Sequence, residues 1–303
     1  MNETAISWTN KTWNFVTGCS KISDGCRYCY AAALSERFGW TKTPWTIQNE
    51  AENIRLKPHK LAEIYAERKP VRVFVNSMSD AFHRQIPDWF IAAAFNVMLD
   101  NPQHTFQILT KRPEAAVDWH ARYLAAVETP EYKFFVNTMP NPKVVSALAR
   151  RHATPWAPHI WIGATVEDER VIGRVAALQA TPAQVRFISA EPLLGPWPET
   201  TDLAGIHWVI IGGESGQHMT SPNNPRWMRQ EWARGVRDLA LKANAAVFYK
   251  QDSGVRTELR PYLVEADGSK WVWQQYPGPN RLPPYLFGSE PPAEVSPGQL
   301  ALL

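Results

Sequence analysis

Sulfur ligands are scarce in this chain. Its 303 residues include only three cysteines, Cys19, Cys26 and Cys29, all in the stretch from Gly18 to Tyr30. An odd and low count excludes a disulfide framework. Long apolar runs are missing as well: none approaches the roughly 18 residues of a membrane span, so no membrane partner is expected. The N-terminus, Met1-Asn2-Glu3-Thr4, has neither the basic nor the apolar region of a signal peptide, and a cytoplasmic protein with reduced thiols is the expectation. Charge of one sign is not in excess. A net charge of +3 permits a local basic groove without arguing for nucleic acid. Tryptophan, in contrast, is plentiful at 14 residues, most of which we assign to core and loop anchoring.

A single theme repeats along the chain. Short apolar runs that read as strands (Val71–Val75, Thr105–Leu109, Ile160–Ala164, Val185–Ser189, Trp208–Ile211, Ala246–Tyr249) alternate with helical segments. That alternation is the pattern of a parallel sheet buried on both faces. No Gly-rich dinucleotide fingerprint accompanies it. The expected fold is therefore α/β, a full or partial (β/α) TIM-like barrel spanning residues 1–254, with an insertion around 116–158. Thr12–Val16 reads as a first strand leading into the cysteine loop, and Tyr30–Phe38 as a helix closed by Gly39. Residues 255–303 read as a Pro- and Gly-rich, irregular extension.

Nearly every strand ends in polar residues, at the face where barrel enzymes carry their sites. The cysteine loop falls on that same face. Three readings of its C-x6-C-x2-C pattern compete. Structural zinc needs a fourth ligand, and His59, His83 and His104 lie at no finger-like spacing. Three buried thiols would pack as small apolar groups. A [4Fe–4S] cluster on three thiolates leaves one iron open to an outside ligand.

The segment Cys26-Arg27-Tyr28-Cys29 resembles the second half of the radical S-adenosylmethionine motif, C-x3-C-x-aromatic-C. Six residues, not three, separate Cys19 from Cys26. More of the chain, roughly residues 5–254, is similar to a phage- and prophage-associated three-cysteine family grouped with that superfamily. The shared stretches are Ile6-Ser7-Trp8-Thr9, Thr12-Trp13-Asn14, Gly18-Cys19, Leu109-Thr110-Lys111-Arg112-Pro113, Ser189-Ala190-Glu191-Pro192-Leu193-Leu194-Gly195 and Gly212-Gly213-Glu214-Ser215-Gly216.

The resemblance implies a cluster on Cys19, Cys26 and Cys29 whose open iron chelates S-adenosyl-L-methionine (SAM). One electron then cleaves the sulfonium, and a 5′-deoxyadenosyl radical abstracts hydrogen from a substrate. It also implies an electron donor such as flavodoxin or ferredoxin. By the same resemblance Asn76, Ser77, Ser79 and Asp80 would contact the methionine amino group. Lys111 or Arg112 would pair with its carboxylate, Thr165 and Glu167 would bind ribose, and Gly212, Gly213 and Glu214 would approach adenine or ribose. Glu191 and Lys250 are the residues we expect to face substrate, with a plain ion pair between them as the simpler alternative. Arg226, Trp227, Arg229, Trp232, Arg234, Arg237 and Lys242 interleave cations with aromatics, and the phage resemblance points to a nucleic acid or nucleotide substrate. The competing reading is a zinc- or cluster-stabilised, phage-related DNA-binding accessory protein without turnover.

Overall fold

The computed structural model describes residues 1–278 and 281–289. Eight strands form the central sheet: β1 (Asn2–Glu3), β2 (Lys11–Trp13), β3 (Arg72–Val75), β4 (Thr105–Thr110), β5 (Ile160–Thr165), β6 (Arg186–Ala190), β7 (Trp208–Gly212) and β8 (Ala246–Gln251). They are hydrogen-bonded in chain order, β1 antiparallel to β2 and every later pair parallel. The parallel strands follow from their composition. Both faces are covered, so each strand is a run of buried residues, as in the all-buried Trp208–Gly212.

The helices that bear on the site are α1 (Tyr30–Arg37), α2 (Asp88–Leu99) and α3 (Gln230–Lys242). Helix α2 is buried without interruption from Phe90 to Met98, which an amphipathic helix on a sheet would not be. The insertion explains it: of the four helices between β4 and β5 (Glu114–Val117, Trp119–Ala126, Pro130–Thr138 and Pro142–Ala149), the last three cover its outer side. Asn96 on α2 is satisfied there by the hydroxyls of Tyr123 and Tyr132, at 2.5 and 2.6 Å.

The sheet is strongly curved. The Trp8 ring lies 4.8 Å from Phe74 on β3 and 6.2 Å from Trp208 on β7. Those strands are four places apart and would stand about 19 Å from each other in a flat sheet. Phe187, Ile210 and Phe248 complete this inner cluster. The ladder runs from β1 to β8, and among the described residues no pairing joins its ends. An α/β fold with a mostly parallel sheet is therefore established.

Two features differ from the sequence reading. The connector helix around Lys60–Arg68 is a 3-10 helix at Pro58–Ala66. The C-terminal extension carries a three-stranded antiparallel sheet (Leu263–Val264, Lys270–Val272, Tyr285–Leu286). It is docked on α3 and β8, with Tyr249 N–H donating to Trp273 O at 2.7 Å. Apolar Leu263, Val272 and Trp273 are buried there, so a few well-placed side chains order a segment whose overall composition is loop-like. Residues 290–303, the Pro-rich end of that extension, lie outside the described residues. No helix among the described residues is long and apolar enough to cross a membrane.

Candidate functional site

The cysteine loop leaves β2 and is stitched at once to the turn that follows β3. Asn14 Oδ1 accepts from Ser77 Oγ at 3.2 Å and Met78 N–H at 3.0 Å. Gly18 N–H donates to Met78 O at 3.0 Å, while Asn76 N–H donates to Trp13 O at 2.9 Å. Gly18 has φ +93°, and a Cβ there would stand 2.0 Å from Asn53 O. Only glycine makes this turn into the loop.

Ion pairs from three strand ends then hold the loop down. After β4, Arg112 Nη2 donates to both Ser20 O and Ser20 Oγ at 3.1 Å, and Nη1 lies 3.8 Å from Cys19 Sγ. Asp80 fixes that guanidinium at 2.8 Å while accepting from Thr110 Oγ1 at 2.7 Å and Lys111 N–H at 3.1 Å. After β5, buried Glu167 accepts from Ser23 Oγ at 2.7 Å and from Arg174 at 2.8 Å, with Lys111 Nζ at 3.2 Å. After β7, Glu214 takes a bidentate pair from Arg226, both bonds 2.6 Å, and Arg226 reaches Asp24 O at 3.2 Å. Arg170 adds a second hold on Asp24 at 2.9 Å. Charge-assisted, paired contacts of this kind are the strong class of side-chain hydrogen bond.

All three cysteines line one cavity of about 140 Å³, together with Asn76, Ser77, Ser79, Asp80, Lys111, Arg112 and Thr165. Two polar atoms of those residues, Asn76 Nδ2 and Ser79 Oγ, are buried and have no partner. An unsatisfied buried group costs about 1–3 kcal/mol, which a polar partner reaching either atom would offset. Asn76 adds backbone strain, with φ +56° in a non-glycine residue. Burial pushes the Cys19 thiol up to about 12, with Asp80 adding to the effect and Arg112 opposing it. A metal centre taking this sulfur displaces its proton. The sulfurs share the cavity without forming a closed ligand set, since among the described residues no three His, Cys, Asp or Glu groups are placed to hold a metal ion.

The remaining expected site residues are placed elsewhere. Glu191 and Lys250 form an ion pair at 3.1 Å, and Ser189 Oγ donates to Glu191 at 3.2 Å. Gly212 lets Glu191 lie against β7, because a Cβ there would stand 2.7 Å from Glu191 Oε1. Gly213 similarly makes room for Ser253. These residues and Glu214 are not among those lining the cysteine cavity. Asp80, Arg112, Glu167 and Glu214 have their charges engaged within the protein, and what they grip is the loop.

Sequence reasoning missed a buried cluster behind Cys19. Ser20 Oγ lies 3.0 Å from Glu50 Oε2 and 2.8 Å from His83 Nε2. His83 Nδ1 accepts from Gln85 N–H at 3.2 Å, which puts the ring proton on Nε2. His83 thus donates to Ser20, which passes its own proton toward Glu50. That polarity is the reverse of a base activating a serine nucleophile. Burial, seconded by Arg112, lowers His83 to about 4. For Glu50, burial alone acts upward, but bonds from Gln85, Arg84 and Ser20 together with His83 hold it down to about 2. Nothing in the spacing of Ser20, Glu50 and His83 signals the cluster; only the fold joins them. It also occupies both His83 nitrogens, while His59 is exposed on the 3-10 helix and His104 precedes β4 at the opposite end of the sheet.

No curated protein and no solved structure matches the chain. One family model does, over residues 3–277. By that match the chain belongs to the family described as Protein of unknown function (DUF5131).

Proposed function

We propose that this protein is a radical SAM enzyme on a curved, partial (β/α) barrel, with Cys19, Cys26 and Cys29 holding a [4Fe–4S] cluster. One observation carries the reading. The only three cysteines line a single cavity at the C-terminal strand ends, and the residues of its wall include Asn76 and Ser79, whose Nδ2 and Oγ are buried and unpartnered. When bound and reduced, such a cluster supplies the electron that splits the sulfonium bond of SAM.

The chain's own residues bind, orient and shield. Asn76 Nδ2 is a donor suited to the methionine carboxylate, and Ser79 Oγ can serve the amino group as acceptor. Arg112 keeps a positive charge beside Cys19 and so favours the thiolate over the thiol. Ala31, Trp45 and Met78 pack against Cys19 and Cys29 and give the sulfurs an apolar flank. Lys111 and Thr165 line the cavity at the β4 and β5 ends, Lys111 for the methionine carboxylate and Thr165 for the ribose, and Glu191 and Lys250 serve the substrate. A flavodoxin- or ferredoxin-like donor, a cytoplasmic setting and a nucleic acid or nucleotide substrate belong to the same reading.

Anaerobic reconstitution with iron and sulfide tests it. The expected result is about four irons per chain, a broad absorbance near 400 nm, and 5′-deoxyadenosine once SAM and dithionite are added. Cys26→Ser loses all three signatures. One tightly bound zinc per chain and no nucleoside product would overturn the reading.

A further inference from the structure

A second and larger cavity, about 630 Å³, lies beside the first between α1 and the turn at Ser215–His218. The two share Lys21, Cys29, Tyr30 and Trp45 in their walls. Four cations, Lys21, Arg27, Arg37 and Lys42, line the larger one against a single acid, Glu36. All four are exposed, and among the described residues none has a carboxylate at ion-pair distance. Lys21 donates only to Arg27 O, at 2.9 Å. The nearby arginines 112, 170, 174 and 226, in contrast, are each paired to Asp or Glu.

Exposed aromatic rings accompany the charge. Tyr30 is 52% exposed although its hydroxyl is fixed to Ser77 O at 2.8 Å. Past the end of α1 and outside the groove's own lining, Phe38 and Trp40 stack on one another at 5.2 Å, each more than half exposed, with the guanidinium of groove-lining Arg37 5.5 Å from the Phe38 ring. Tyr28 stacks on His218 at 3.8 Å. Rings held in place yet left in water are a cost that the fold does not recover by itself. Cations without acidic partners, two of them lying over tyrosine and phenylalanine rings (Arg27 on Tyr28, Arg37 on Phe38), are the chemistry that tracks a sugar-phosphate chain and stacks its bases.

We propose that this groove binds a single strand of nucleic acid, with phosphates on Lys21, Arg27, Arg37 and Lys42 and bases on Tyr30 within it and on Phe38 and Trp40 at its edge, past the end of α1. A duplex keeps its base faces stacked inside and offers nothing to Tyr30 or Trp40. The strand path ends at Cys29, so a base at that end stands beside the cysteine cavity. That last placement rests on the radical SAM reading; the binding itself does not.

Fluorescence anisotropy of the full-length protein with a labelled single-stranded oligonucleotide of about 20 nucleotides tests the groove. Four phosphate contacts predict a log–log salt slope near −2.8, a loss of about 50-fold between 50 and 200 mM salt. Arg37→Glu combined with Lys42→Glu is expected to weaken binding at least 10-fold at low salt, with unchanged circular dichroism. Lys69→Glu, ahead of β3 at the other end of the sheet, leaves it unchanged. A duplex of the same sequence binding more tightly, absence of binding at low salt, or equal loss in all variants would each overturn the proposal. Iron content of the same preparations separates the two ideas. Strand binding without iron supports the groove and defeats the cluster, whereas a loaded cluster without strand binding does the opposite.

Discussion

Two segments of this protein combine basic with aromatic residues, and they behave oppositely. Around α3, Arg226 is clamped by Glu214, Arg234 donates to Val264 O at 2.6 Å, and Arg237 is paired with Asp238 and Glu265 while its guanidinium covers Trp273. Around α1, Lys21, Arg27, Arg37 and Lys42 have no acidic partner among the described residues. Composition marks the first segment as the nucleic-acid face, yet most of its charge is spent on holding β7, the cysteine loop and the C-terminal sheet together. The second segment, less conspicuous in sequence, keeps its charge available. Partnering, not abundance, decides which arginine is structural and which is free to bind.

The largest effect that could break this contrast is at Arg226. Arg226→Met leaves Glu214 buried, with only His218 nearby at 3.2 Å, and releases one hold on Asp24. A buried carboxylate stripped of its partner predicts a loss of about 3 kcal/mol in urea unfolding. Adding Glu214→Met removes the orphaned charge and should recover most of that loss. Arg37→Met in the groove is expected to stay within about 0.5 kcal/mol of the parent. Equal losses at 226 and 37 would show that the two segments do not differ in kind.

A smaller effect comes from the buried cluster under the loop. His83, lowered to about 4 from 6.5, is neutral in the folded protein at pH 7. The unfolded chain protonates first as pH falls, so stability present above about 6.5 drains away toward pH 4, by about 2–3 kcal/mol in all. Glu50, held near 2, continues the loss from about 4.5 downward as its native hydrogen bonds are protonated away. Unfolding midpoints measured from pH 7.5 to 4 in the presence of chelator should therefore fall in the parent. They should fall less steeply in His83→Asn, and as steeply as the parent in Lys42→Ala. A flat profile in the parent would place the cluster in water.

What was legible in the sequence follows from the same distinction. The parallel strands were readable because burial on both faces leaves a purely local, apolar signature; six of them fall within two residues of their expected ends. The cysteine loop was readable because three thiols in eleven residues need no fold to be neighbours. The roles of Glu167 and Glu214 were not readable. Each ends a strand like any ligand-binding carboxylate, and only the tertiary approach of Ser23 and Asp24 turns them inward to the loop. Ser20, Glu50 and His83 were silent for the same reason, since 30 and 33 residues of chain separate successive members. The α1 groove was hidden because four isolated cations between Lys21 and Lys42 look like ordinary solvated charge.

The smallest predicted change is the most discriminating. Lys42 is exposed and unpaired, whereas Lys133 is exposed and lies 3.3 Å from Glu128. Truncating either to alanine removes the same charge from the surface and should move stability by less than about 0.5 kcal/mol. Their effects on strand binding should separate. Lys42→Ala removes one phosphate contact and is expected to make the salt slope shallower by about 0.7. Lys133→Ala, outside the groove and beside Glu128, which also holds Arg151, should leave the slope where it was. If both variants shifted the slope alike, net charge rather than the unpartnered groove would be drawing the strand, and the difference between α1 and α3 would carry no functional weight.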